Sequence, residues 1–313
     1  MTDLSVIILT KNEQLHIARC LERLAPLSPR QIFIVDCFST DNTKSIVESF
    51  TSALQLQLTP TTKSSTLELQ LKTPTKSSAL QLQLNTTTIS LVERAWPGLY
   101  AKQFNWVLDN LPIESKWVLR LDADEYLTPE TIERLKESLP KLPDDVSGLT
   151  LELKRKFMGG EIRHGTNGIR LLRVFKYGIG RCEERAMDEH ILLSEGRCVD
   201  FDGAFYDDNL NTFEWWQEKH RGYAKREAQD AISLFNNPDR LKNPSETDNK
   251  KIKYYKLPPY FRAVAYFCIR YFLKLGFLDG VPGWKWHFYQ GLWYRWLVDR
   301  EIGKVKRRQD LQD

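Results

Sequence analysis

The sequence predicts an α/β fold, and three observations carry the prediction. Residues 4–9 (LSVIIL) and 31–35 (QIFIV) are continuous apolar runs, as strands buried on both faces require. Between them, residues 16–24 place Ile17, Cys20, Leu21 and Leu24 at helical spacing and stop before Pro26. A third run, Trp117, Val118, Leu119 and Leu121, ends abruptly in Asp122, Asp124 and Glu125. In open α/β sheets ligands bind just beyond the carboxyl ends of strands, and these acids fall there.

The first strand gives way to a polar loop, Thr10, Lys11, Asn12 and Glu13, and the second ends in Asp36, with Ser39, Thr40 and Asp41 at a helix N-terminus. Strand, loop, helix, strand, acid is the opening of a nucleotide-binding α/β unit. Neither GxGxxG nor GxxxxGK follows a strand, so the dinucleotide fingerprint and the P-loop are both excluded.

Residues 52–90 differ in kind. They divide into three thirteen-residue copies, SALQLQLTPTTKS, STLELQLKTPTKS and SALQLQLNTTTIS, in which Leu alternates with Gln or Glu. Period-two alternation reads as short strands, whereas the few apolar residues per copy read as a loosely ordered expansion. Either way the segment is an insertion outside the site. A strand over 91–96 and a helix over 99–111 follow, with Lys102 and Asn105 facing either a nucleotide or solvent.

Three carboxylates at one strand end repel and raise one another's pKa unless a cation lies between them, which points to a hard metal ion held by Asp122 and Asp124. The competing reading is an acidic helix start: Thr128 caps a helix from Pro129 to residue 139, with Glu130 in its first turn. It accounts for Thr128 and Glu130 but not for the two aspartates. Strands over 149–153 and 168–174 follow, separated by a glycine-rich loop. Next comes a second acidic cluster, Met187, Asp188, Glu189 and His190. A carboxylate there is a candidate general base, and His190 is either a third metal ligand or a structural residue.

In order and spacing, SVIILTKNE, IFIVDCFSTDNT, LRLDADEYL and MDEH resemble the inverting glycosyltransferases of family two. Within that family the chain looks similar to the lipopolysaccharide core glucosyltransferase group, which shares DADEYL, MDEHI and a GFLDG-like stretch (here 276–280). The resemblance covers nearly the whole chain outside residues 52–90. It implies a GT-A fold, with a mixed, mostly parallel sheet flanked by helices over residues 1–205, and a helical region over 206–313. Thr10, Asn12, Glu13 and Asp36 would line the nucleotide pocket, with Asp36 accepting from a uracil ring. Asp122 and Asp124 would hold Mg²⁺ or Mn²⁺ against the diphosphate, and Glu189 would be the base, with Asp188 close enough to compete. Cys37 and Phe38 depart from the Asp-Gly that many relatives carry. The implied activity moves a hexose from a nucleotide-diphosphate sugar to a lipid-linked glycan with inversion. The alternatives are transfer to a polyprenyl phosphate or an exopolysaccharide chain, or a catalytically silent binder or membrane scaffold.

Charge is unevenly spread. Residues 250–313 hold fourteen Lys and Arg against five acids, while the rest of the chain holds thirty-one against thirty-six. Residues 258–278 are apolar, with Arg262, Arg270 and Lys274 read onto one helical face, and residues 284–298 hold four of the nine tryptophans. A helix with a broad apolar face and a basic stripe lies in a membrane interface; the alternative is a packed helical region whose aromatics are core. The basic tail favours an anionic membrane surface, and tryptophans at helical spacing argue against a nucleic-acid partner. Five scattered cysteines without a CxxC pair, no signal sequence and no spanning segment lead to the expectation of a cytoplasmic protein, peripheral on the inner face of the membrane.

Overall fold

The computed structural model describes residues 1–55, 87–166, 168–184, 189–242 and 244–309. Most of the repeat segment and Asp188 fall outside the described residues. The chain divides into two compact units. The first comprises Met1–Leu153, Arg170–Glu183 and His190–Asp207; the second comprises Lys154–Ile169, Glu184–Glu189 and Asp208–Asp313.

The first unit is the predicted mixed α/β layer structure. Four parallel strands, β1 (Thr2–Thr10), β2 (Pro29–Asp36), β3 (Thr88–Glu93) and β4 (Trp117–Asp122), lie side by side in the order β3, β2, β1, β4. The sheet then continues through β8 (Arg170–Lys176), antiparallel to β4, and β6 (Val146–Phe157), antiparallel to β8, to β11 (Arg197–Asp208) and the short β5 (Glu125–Leu127), which is antiparallel to β11. A small pair, β9 (Gly180–Cys182) with β10 (Ile191–Leu193), stands apart from it.

The continuous apolar runs serve two cores at once. Leu4, Val6 and Ile8 of β1, with Ile32 and Ile34 of β2, face a cluster shared with Ile17 and Leu21 of α1 (Ile17–Leu24), Val47 of α2 (Thr43–Gln55) and Leu135 of α4 (Pro129–Ser138). Ile7, Leu9, Phe33 and Val35 face the other side and meet Phe104, Val107 and Leu108 of α3 (Tyr100–Asn110). Side chains alternate along a strand, so only an unbroken apolar run supplies both faces.

Helix α2 extends to Gln55 and so takes in the first four residues of the repeat, where alternation suggested a strand. Thr128 caps α4 as expected, accepting from the Thr131 amide, with Pro129 at the first helical position.

The second unit is mainly helical: α5 (Phe213–Asn236), α6 (Pro238–Lys242), α7 (Glu246–Tyr255), α8 (Phe261–Cys268), α9 (Gly280–Trp286) and α10 (Tyr294–Gln309), together with β7 (Gly160–Ile162). A π-helical turn (Ile269–Leu273) and a 3₁₀ turn (Gly276–Asp279) link α8 to α9, and a second π-helical stretch (His287–Trp293) leads into α10. Trp216 and Trp286 pack with Phe157 and Ile162, and Phe213, Tyr289 and Trp293 close over them, so these aromatics are core. Trp284 and Trp296 are exposed.

The basic stripe read from residues 262, 270 and 274 does not form. Arg262 and Arg270 are buried, and only Lys274 is exposed. Arg262 turns inward onto Asp299 of α10, a partner that helical periodicity cannot reveal. Among the described residues, no helix is long and apolar enough to cross a membrane.

Candidate active site

The parallel register aligns the polar strand ends. Thr10 lies opposite Asp36, Asp36 opposite Glu93, and Leu9 opposite Asp122. The chain moves outward from β1 to β2 and β3, then crosses to β4 on the other side, so the strand order reverses between β1 and β4. Ligand crevices in α/β sheets open at such a switch point, and Thr10 and Asp122 flank this one.

Asp36 is fully buried, and its carboxylate organises the loop after β2. Thr10 Oγ1 donates to Asp36 Oδ1 at 3.0 Å, the Ser39 hydroxyl donates to the same oxygen, and the Ser39 amide donates to Oδ2 at 2.6 Å. Asp36 therefore holds Thr10 and Ser39 in place. Asn12 follows β1 in a left-handed conformation (φ 57°), which its short polar side chain tolerates. Its amide donates to Ser39 Oγ at 2.7 Å and its Oδ1 accepts from the Thr40 amide at 2.8 Å. Glu13 is tied through its amide to Thr43 Oγ1 and through Oε2 to His16 Nδ1 at 2.6 Å. Thr10, Asn12 and Asp36 thus share one hydrogen-bonded network through Ser39, and Glu13, next to Asn12, is held separately by Thr43 and His16.

Phe38 stands in a glycine-favouring conformation, where the resemblance leads one to expect the Gly of Asp-Gly. It has φ 54° and is exposed, a conformation in which glycine is unstrained and a residue with a Cβ is not. Lys11 Nζ donates to the Cys37 carbonyl at 2.7 Å and to the Phe38 carbonyl, pinning the turn. Nothing in the local pattern marked Lys11 for this.

At the tip of β4 the three acids separate into two roles. Asp122 and Asp124 are half-buried, whereas Glu125 is buried at the start of β5. Glu125 Oε2 accepts the Asp122 amide at 2.9 Å, and Oε1 accepts from Arg173 Nη2 at 2.5 Å. Burial pushes the Glu125 carboxyl well above the ordinary range, with Asp122 and Asp124 adding to the rise and Arg173 opposing it. The Cys20 thiol is raised by burial and then by Glu125, Asp124 and Asp122, so all three charges bear on one spot. Tyr100 on α3 donates its hydroxyl to Asp122 Oδ1 and fixes that carboxylate. Arg120 lies over the Tyr100 ring, 4.3 Å from its centroid. Tyr100, Arg120 and Arg173 were not anticipated, because their partners are distant in sequence.

Among the described residues, no cluster of three His, Cys, Asp or Glu side chains forms a ready-made metal cage. Asp122 and Asp124 nevertheless suit a hard cation. Both offer carboxylate oxygens beside a carboxyl raised first by burial and further by their own charges, and Mg²⁺-type ions commonly take one or two carboxylates and complete their shell with water and substrate phosphate.

Lys102 is exposed on α3, while Asn105 is buried and exchanges hydrogen bonds with the Cys182 backbone at 2.8 and 2.9 Å. His190 is exposed, and its carbonyl accepts from the Glu183 amide. Glu189 is half-buried and belongs to the second unit.

Residues 5–61 match the model of a family described as glycosyl transferase family 2. No curated protein sequence matches the chain. Solved structures with some likeness include a mannosyltransferase from Pyrobaculum calidifontis in complex with GDP-Man and Mn²⁺. It has 14% identity and a TM-score of 0.48, with 96% of this chain and 86% of that one covered. They also include residues 1–349 of TarS from S. aureus, with 15% identity, a TM-score of 0.40, and 100% and 92% covered. Glucosyl-3-phosphoglycerate synthase from Mycobacterium tuberculosis is more remote, with 13% identity, a TM-score of 0.27, and 49% and 44% covered.

Proposed function

We propose that this chain is an inverting glycosyltransferase with a GT-A catalytic domain, transferring a hexose from a nucleotide-diphosphate sugar such as UDP-glucose to a lipid-linked glycan of the lipopolysaccharide core type. The observation that carries the reading is the row Thr10, Asp36 and Asp122 at the ends of three adjacent parallel strands, at the point where strand order reverses. The family match over residues 5–61 supports it, since that segment supplies the first two of those strand ends.

Thr10, Asn12, Glu13 and Asp36 form the nucleotide rim, the last by holding Thr10 and Ser39 in position. Asp122 and Asp124 would hold a divalent ion, which would supply positive charge to offset that developing on the departing nucleotide diphosphate. Tyr100 orients Asp122 for that task, and Glu125, paired with Arg173, anchors the turn. Glu189 is assigned the base that takes the acceptor hydroxyl proton; a hydroxyl so activated attacks the anomeric carbon in line and inverts it.

Membrane association is part of the reading. The segment between α8 and α9 exposes Phe272, Leu273, Leu275, Phe277 and Leu278, with Leu273 77% accessible, and Lys304, Lys306 and Arg307 follow on α10. A run of exposed apolar residues of this kind suits an interaction face, and the basic residues of α10 suit anionic lipid on the inner side of a cytoplasmic membrane.

The test is transfer from UDP-glucose to a lipid-extract acceptor in the presence of Mn²⁺, with product stereochemistry read by NMR. Asp122→Ala and Asp124→Ala should each lower turnover by roughly a hundredfold or more, as expected when stabilisation of developing charge is lost. Unchanged turnover in either variant, or an α-linked product from an α-linked donor, would refute the proposal.

A further inference from the structure

The second unit buries guanidinium groups under unequal conditions. Arg262 is matched by Asp299, and Arg295 donates to Glu227 Oε1 at 2.5 Å. Arg270 is as buried as Arg262, 6% exposed, but it donates to the Gly165 carbonyl at 3.2 Å and forms no ion pair among the described residues. A buried cation without a counter-charge is strongly unfavourable unless an anion joins it.

Positive charge converges here. Arg270 and Arg295 both lie against Tyr266, 5.2 and 5.4 Å from its ring centroid. Burial alone would raise the Tyr266 hydroxyl, yet the two guanidiniums bring it below the ordinary phenol range, so the spot between them favours negative charge. The Arg270 pKa is lowered, first by burial and then by the fields of Arg295 and Arg155. Arg155 lies 4.8 Å over the Trp286 ring. Two donors in this neighbourhood are buried without a partner, Arg295 Nε and the indole Nε1 of Trp286, whose side chain is 6% exposed.

We infer that Arg270, Arg295 and Arg155, with Tyr266 and the Trp286 indole, form a phosphate-binding site in the second unit. Forked guanidinium donors fit phosphate oxygens, and charge-assisted bonds of this kind are the strong ones. Arg270 sits on the π-helical turn Ile269–Leu273, a distortion that recurs at functional sites. The same turn points Ile269, Phe272 and Leu273 outward, so a phosphate held by Arg270 lies just behind an apolar surface. The group recognised is a phosphate ester, supplied either by a lipid headgroup or by a soluble phosphorylated glycan. The site stands independently of the transferase reading, because none of its residues belongs to the nucleotide rim.

The test uses the full chain without donor. Binding is measured to neutral phosphatidylcholine vesicles and to vesicles doped with phosphatidic acid or, at matched surface charge, with phosphatidylserine; glycerol phosphate is added separately in thermal unfolding. Wild type should bind the phosphatidic acid vesicles about tenfold tighter than the phosphatidylserine vesicles, the size expected for one charge-assisted contact. Arg270→Gln and the less buried Arg155→Gln should remove that preference, and Arg155→Gln carries the test if Arg270→Gln does not fold. Leu273→Ser should weaken binding to every vesicle while leaving the preference intact. Stabilisation by glycerol phosphate without a vesicle preference, lost in Arg155→Gln, supports the site with a soluble phosphate as its ligand. Equal binding to both anionic vesicles with no glycerol phosphate effect overturns the inference, as does a preference that survives both arginine variants. Loss of UDP-glucose turnover with these binding results intact would count against the transferase reading alone.

Discussion

The Glu125–Arg173 pair offers the sharpest test of how the turn after β4 is held. Both side chains are almost fully enclosed, 6% and 7% exposed, and Arg173 also stacks 4.6 Å from the Phe205 ring centroid. Glu125→Ala strands a guanidinium that cannot deprotonate, in a place water does not reach, and should cost about 3–5 kcal/mol. Arg173→Met strands a carboxyl whose folded pKa is already raised by burial and by its acidic neighbours. That group can take up a proton, so stability tied to its neutral form is fully present below the unfolded pKa and is lost as pH rises through the folded pKa. The Arg173→Met deficit should therefore be smaller near about pH 5 than near about pH 8, whereas the Glu125→Ala deficit should shrink as pH rises, because that variant lacks the raised carboxyl whose ionisation costs the wild type stability. Urea unfolding followed by circular dichroism in metal-free buffer, with the double variant closing the cycle, should give a coupling of at least roughly 1 kcal/mol. A Glu125→Ala deficit under about 1 kcal/mol, or an Arg173→Met deficit flat with pH, would show that the pair does not hold the turn.

Three further outcomes follow from single contacts. Tyr100→Phe removes the hydroxyl that donates to Asp122 Oδ1; it should cost about 1 kcal/mol of stability and raise the Mn²⁺ concentration needed for half-maximal turnover roughly tenfold, checked by metal titration. Phe38→Gly removes the strain of a left-handed residue at φ 54° and should stabilise the protein by up to about 1 kcal/mol in urea, net of the flexibility that glycine adds to the unfolded chain; a loss of stability would contradict the strain. His287 is fully buried, both ring nitrogens lack partners, and burial followed by Arg270 lowers its pKa to about 4. With a depressed folded pKa, the stability it contributes is present above its ordinary value of 6.5 and drains away as pH falls toward about 4, about 3 kcal/mol in full. His287→Phe should flatten that acid limb of the unfolding profile, and an unchanged limb would place the proton uptake elsewhere.

Much of the candidate site was legible because it is local. Thr10, Asn12 and Asp36 lie within a few residues of strand ends that their own apolar runs announce, and Ser39, which completes the Asp36 network, is three residues away. The acids after β4 were visible as a group, but their division of labour was not. Glu125 looked equivalent to Asp124 in the string, and only Arg173, 48 residues on, draws it inward. Tyr100 reaches Asp122 across 22 residues from a helix that showed nothing beyond its apolar face.

The sequence by itself determined the strands of the parallel half and the helices that cover them, because an unbroken apolar run can be buried on both faces only in a covered sheet. It also determined that acids crowd the end of β4, since strand ends are a matter of local composition. Which charged groups turn inward was decided by the tertiary structure. In residues 258–278 nearly every helical face is apolar, so periodicity cannot say which side meets protein. Asp299 and the Gly165 carbonyl, contributed by distant segments, draw Arg262 and Arg270 into the interior and leave Phe272 and Leu273 outside.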